Sequence, residues 1–224
     1  MKKEFVKRVI SSLIMIPIAF FFITKGNTFF MFFLSILFFI TSYEWVKMTK
    51  KKSIKFTGAI YLLVSFYFAY LLRENLGLKI FLFIIIICIS TDIGGYIFGK
   101  IFKGPKLTKI SPKKTYAGAL GGFVLSLIVG LIFDIKIYPD YDLEFDIVSS
   151  SLFSNLSLNT HVIFVTFILI VSFISQIGDL IISFFKRLSK VKNTGKLLPG
   201  HGGLLDRIDG IIFAIPISYL IFNF

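Results

Sequence analysis

The sequence predicts an all-α fold: a polytopic membrane bundle of about seven transmembrane helices with a cytoplasmic N-terminus. Three observations carry this. Hydrophobic residues make up 56% of the 224, Phe alone counts 29, and mean hydropathy is +0.86, which excludes an ordinary soluble domain. The apolar residues gather in runs of roughly membrane length. The basic residues gather in every second gap between those runs.

The runs are 9–24, 28–43, 56–72, 78–91, 117–133, 162–182 and 208–224. The first follows Lys2, Lys3, Lys7 and Arg8 and ends at Thr24-Lys25-Gly26-Asn27 without a small-residue cleavage site, so a retained helix is expected. Trp45 and Lys47, Lys50, Lys51 and Lys52 flank the second run. Trp45 is expected to extend it to the membrane interface. The lysines, with no glycine or acid read beside them, are a topology and lipid-surface signal. Cys88 in the fourth run is the single cysteine, so it forms no intrachain disulfide or thiolate cluster and reads as a small apolar filler. Asp134, Asp140, Asp142, Glu144 and Asp146 form an acidic loop after the fifth run, read as solvated. Pro17 and Pro216 are expected to kink their runs.

Placing the N-terminus inside puts 21 of the 25 Lys and Arg on that side, leaving Lys25, Arg73, Lys79 and Lys136 outside. The whole chain, 1–224, reads as a single integral-membrane domain. Residues 1–91 are its apolar N-terminal helices, and 92–224 form a catalytic portion with two motif loops.

Polar residues that break the apolar pattern mark the site. In the sixth run Ser172, Gln176, Asp179, Ser183 and Lys186 recur on one helical face. Ser172 and Gln176 are explained by bonds to a neighbouring helix, but Asp179 needs more, because an unpaired carboxylate near lipid is expensive. Asp206 and Asp209 are spaced to share a face at the start of the last helix, with Arg207 beside them. His201, Gly202 and Gly203 precede them, and glycines there let backbone amides cradle a phosphate. Carboxylates without thiolates suit Mg²⁺, and Asp179 and Asp206 can converge on one ion, with a second cation left open. His201 reads as a phosphate contact or a loop brace, zinc being short of ligands.

A second constellation precedes it. Asp92, Gly95 and Gly99 recur on one face, the small residues reading as tight helix packing. Ser111-Pro112-Lys113-Lys114-Thr115 follows as a short basic loop suited to phosphate.

These two stretches closely resemble the phosphatidate cytidylyltransferases, or CDP-diacylglycerol synthases. The resemblance rests on Ser183, Lys186-Arg187, Lys192-Asn193, Gly195, Pro199-Gly200-His201-Gly202-Gly203 and Asp206-Arg207-Ile208-Asp209, and on Asp92, Gly94-Gly95 and Ser111-Pro112-Lys113-Lys114-Thr115. Asn193 stands where the family usually has Asp, and Ala117 where it tends to have Glu. It covers the chain from about Asp92 onward; the earlier residues match only as apolar helices.

The resemblance implies a multi-pass protein of the bacterial cytoplasmic membrane that makes CDP-diacylglycerol and pyrophosphate from CTP and phosphatidate. It implies Asp179, in Gln176-Ile177-Gly178-Asp179, and Asp206 as metal ligands. Asp209, Lys186, Arg187, Arg207 and His201 would complete the catalytic set. Asp92, Ser111, Lys113, Lys114, Thr115, Gly202 and Gly203 would contact substrate. Expected partners are CTP, phosphatidate and membrane lipids, with no nucleic acid; a homodimer is left open. The alternatives are a small transporter, whose charges should line a path across the membrane, and a family member that has lost activity.

Overall fold

A computed structural model describes residues 2–108, 111, 114–133, 159–195, 197 and 202–223, with side chains at 11 and from 13 onward. Its elements are helices: α1 (Lys2–Lys25), α2 (Asn27–Met48), α3 (Lys52–Asn75), α4 (Gly77–Phe102), α5 (Tyr116–Ile132), α6 (Thr160–Leu188), α7 (Leu205–Ile208) and α8 (Ile211–Asn223). Among the described residues there is no strand, only an isolated bridge between Lys106 and Thr115. The acidic loop, Lys109, Pro112, Lys113, Lys196 and His201 lie outside the described residues.

Every apolar run falls on a helix. Four helices, α2, α3, α4 and α6, are long and apolar enough to cross a membrane, and shorter apolar stretches cover Leu13–Lys25, Tyr116–Ile132 and Ile211–Asn223. Helices suit such a chain because each backbone polar group is satisfied within its own segment.

Two helix boundaries differ from those of the apolar runs. α4 continues through Asp92 to Phe102, so the first constellation begins inside a helix and the loop proper starts at Lys103. α4 holds its course because its glycines seat it on α5. A methyl on Gly94 would strike the Gly121 carbonyl, and one on Gly118 would come 2.7 Å from the Gly95 carbonyl oxygen. The last run is broken: α7 is a single turn, and Asp209-Gly210 separates it from α8. Asp206 and Asp209 therefore do not share one continuous helix. Both α1 and α8 run on through their prolines.

α4 is central, packing on α3, α5, α6 and α8. Its Phe83 is fully buried, with ring centroids 5.6 Å from Phe164 and 6.4 Å from Phe167 of α6. Phe167 in turn meets Phe222 of α8 at 5.4 Å. In lipid such close packing, rather than exclusion of water, holds helices together. Phe20, Phe29, Phe32 and Phe39 are exposed, as expected of surfaces facing acyl chains.

Trp45 is buried between helices. Its indole N–H donates to the Ile54 carbonyl at 3.0 Å, its ring lies edge-on to Phe185 at 5.0 Å, and Gly58 leaves the space the ring fills. At the other end of the bundle Arg73 donates to the Ile23 carbonyl at 3.0 Å, and Glu74 accepts from the Asn27 amide at 2.9 Å. The end shared by Met48, Lys52, Phe102, Tyr116, Leu188 and Leu205 carries the site.

Candidate active site

The polar face of α6 meets three neighbours in succession. Thr91 of α4 donates its hydroxyl to Ser172 at 2.8 Å, both side chains buried. Gln176 donates to the Ala119 carbonyl of α5 at 3.4 Å. These are the helix-to-helix bonds expected of them. One turn on, Asp179 Oδ2 lies 2.5 Å from Lys114 Nζ, and its Oδ1 accepts from Ser183 at 3.3 Å. Two turns on, Lys186 Nζ lies 2.9 Å from Asp206 Oδ1 and 3.9 Å from Asp209 Oδ2. Asp209 is buried. The i, i+3 spacing thus brings Asp206 and Asp209 to one lysine despite the helix break.

Lys114 reaches Asp179 because its loop is folded back. Leu107 N–H donates to the Lys114 carbonyl at 2.8 Å, Lys114 N–H to the Ser111 carbonyl at 3.0 Å, and Tyr116 N–H to the Pro105 carbonyl at 3.2 Å. Thr115 then caps α5, its hydroxyl accepting from the Gly118 amide at 3.1 Å. A cavity of about 250 Å³ opens here, lined among others by Asp92, Gly95, Lys114, Thr115, Gln176 and Asp179. Ser111 shapes the loop without lining the cavity.

Asp206 is engaged by three donors. Besides Lys186, its Oδ2 accepts from the Thr194 amide at 2.9 Å and the Gly203 amide at 3.1 Å. Gly202 adopts φ +90°, a left-handed conformation suited to glycine. The Gly203 amide is thus engaged within the protein. Arg187 and Arg207 are exposed. Asn193 lies beside Gly202, and Ala117 sits in the first turn of α5.

One site residue was not anticipated. Glu44 of α2 is buried and accepts from the Thr194 hydroxyl, the Leu204 amide and the Leu205 amide, each at 3.0 Å. A methyl on Gly195 or Gly203 would collide with its carboxylate. The end of α2 therefore does have an acid and glycines beside it. The signal was available: a lone Glu among lysines at a helix C-terminus opposes the helix dipole and so calls for specific partners.

The arrangement suits binding of phosphates with a hard cation. Carboxylate oxygens from α6 and the α7 region stand in pairs with Lys114 and Lys186, which supply compensating positive charge in this state. Among the described residues no group of three or more His, Cys, Asp or Glu surrounds one point. Two carboxylates with phosphate oxygens and water suffice for Mg²⁺, so the residues present fit it. Beyond this end, α2 to α6 carry charge only near their far ends, which disfavours a charged path across the membrane.

Fold and site together define an integral-membrane helix bundle with an acid–base cluster at one end. The cytidylyltransferase family model matches residues 6–74 and 56–224, and the chain belongs to this family. It is 37% identical over 158 residues to the phosphatidate cytidylyltransferase of Staphylococcus saprophyticus, covering 70% of this chain and 54% of that one. With the Staphylococcus aureus protein of the same name, identity is 39% over 159 residues with the same coverage. The match spans about half the length of these curated relatives.

Proposed function

We propose that the chain transfers a cytidylyl group from CTP to phosphatidate, giving CDP-diacylglycerol and pyrophosphate. The observation that carries this reading is the interleaving of Asp179, Asp206 and Asp209 with Lys114 and Lys186 beside a cavity, in a chain of the cytidylyltransferase family. A phosphatidate oxygen attacks the α-phosphorus of CTP, a new P–O bond forms, and the bond to the β-phosphate breaks. The nucleophile is already an anion, so the reaction needs no strong base. It needs two anions brought together, which asks for positioning and fixed cations.

Lys113, Lys114, Lys186, Arg187 and Arg207 neutralise phosphate oxygens in this reading, and His201 is assigned a phosphate contact from its place in the sequence motif. Mg²⁺, held by Asp179 and Asp206, supplies further neutralisation of the triphosphate. Asp92 and Thr115 line the nucleotide side. Seven helices cross the membrane, the N-terminus and the site face the cytoplasm, and the lipid enters sideways with its tails in the bilayer. The whole chain acts as one domain.

The test is pyrophosphate release by the purified full chain given phosphatidate, Mg²⁺ and each of four nucleoside triphosphates in turn. Release with CTP that requires phosphatidate is expected. No release with any of the four overturns the reading.

A further inference from the structure

We infer that Glu44 is a positioning residue that fixes the glycine-rich segment carrying Asp206, so that the N-terminal half of the chain builds part of the site. The inference rests on the proposed reaction for its effect on turnover. Its structural part stands on its own.

The geometry is a double clamp on one residue. Thr194 is buried; its hydroxyl donates to Glu44 at 3.0 Å and its amide to Asp206 at 2.9 Å. Glu44 also takes the amides of Leu204 and Leu205, immediately before Asp206. One carboxylate thus ties the start of the segment to its end, and both to α2. Asp206 closes the same loop from inside through Thr194 and Gly203. Gly195 and Gly203 are small because the Glu44 carboxylate sits against both.

The chemistry requires a carboxylate at position 44. Oε1 accepts from Leu204, while Oε2 accepts from Thr194 and Leu205. Gln, nearly the same shape, would have to turn an NH₂ group towards at least one N–H or O–H donor. A buried donor left unmatched is costly, so the segment loosens. Asp206, and Lys186 bound to it at 2.9 Å, then lose their fixed placement. Misplacement by about 1 Å is enough to lower a rate on the order of 10².

The experiment uses the purified full chain with Glu44→Gln and, separately, Thr194→Val, which removes only the hydroxyl donor. Hydrogen exchange is followed on the peptide covering residues 193–205, together with thermal melting, kcat and KM for CTP. Glu44→Gln should leave α4 and α6 protected while the 193–205 peptide exchanges on the order of tenfold faster, and kcat should fall on the order of 10² with a smaller change in KM. Thr194→Val should move the same readouts in the same direction by less. If Glu44→Gln does not fold, Thr194→Val decides on the same two readouts. Unchanged exchange in the 193–205 peptide overturns the clamp, and faster exchange with normal kcat overturns the positioning role. If the wild-type chain shows no turnover, the proposed reaction fails, and the exchange result still decides whether Glu44 holds the segment.

Discussion

Lys114 Nζ lies 2.5 Å from Asp179 Oδ2, joining a folded-back loop to the middle of the polar face of α6. Both groups line the cavity, so a phosphate entering it meets a lysine already in place. Lys114→Met removes that charge and leaves Asp179 without its cation. Turnover of CTP should fall about 10- to 100-fold, the worth of a hydrogen bond between charged groups. Steady-state pyrophosphate release checks this, and near-normal turnover would remove Lys114 from the site.

Topology follows from charge. The segments holding Lys55, Lys114 and Lys192 should be cytoplasmic, because 21 of 25 basic residues fall on that side. Single cysteines introduced at exposed Lys52 and Lys192, in a chain whose Cys88 is replaced by Ser, should resist an impermeant thiol reagent in intact cells and react after lysis. Rapid labelling of intact cells would reverse the orientation.

The α4–α5 seam distinguishes adjacent glycines. A methyl on Gly94 would meet the Gly121 carbonyl, whereas one on Gly95 would find its nearest neighbour at an ordinary 3.7 Å. Gly94→Ala should therefore destabilise by about 3 kcal/mol, while Gly95→Ala should change stability by under about 1 kcal/mol. Thermal melting in detergent separates them; equal behaviour would mean the helices are not in this register.

Apolar runs marked the seven longer helices, though not the single turn of α7, because length and hydropathy are local properties, and the polar face of α6 was legible because a helix repeats every 3.6 residues. The end of α4 was partly so: the apolar run stops at Thr91, but Asp92, Gly95 and Gly99 recur on one face with the spacing of tight helix packing, and α5 seats against the glycines there. The burial of Trp45 was not legible, because its pocket is made by Gly58, which lies on another helix. Glu44 was passed over because its partners are 150 residues or more away in sequence. Only the fold shows that the glycines at 195 and 203 make room for its carboxylate.

Asp179 and Asp206 give the sharpest test of the site, because their surroundings predict different collateral effects. Asp179 is held by one lysine and one serine hydroxyl, at the edge of a cavity. Asp179→Asn keeps the shape and a hydrogen-bonding oxygen, so the bundle should remain folded with little change in melting temperature. Asp206 accepts from Lys186, Thr194 and Gly203 at once. Asp206→Asn must turn an NH₂ group towards one of those donors, so the segment around it should also loosen. Each substitution removes one negative charge from the proposed Mg²⁺ site. Each should cost at least about 3 kcal/mol of transition-state stabilisation, on the order of 10² in rate. Expected, then, are two inactive proteins, of which only Asp206→Asn shows faster hydrogen exchange at residues 193–205. Near-normal rates in either mutant, with unchanged Mg²⁺ dependence, would remove that residue from the site. Loss of folded protein in Asp179→Asn would assign its carboxylate to holding Lys114 rather than to the reaction.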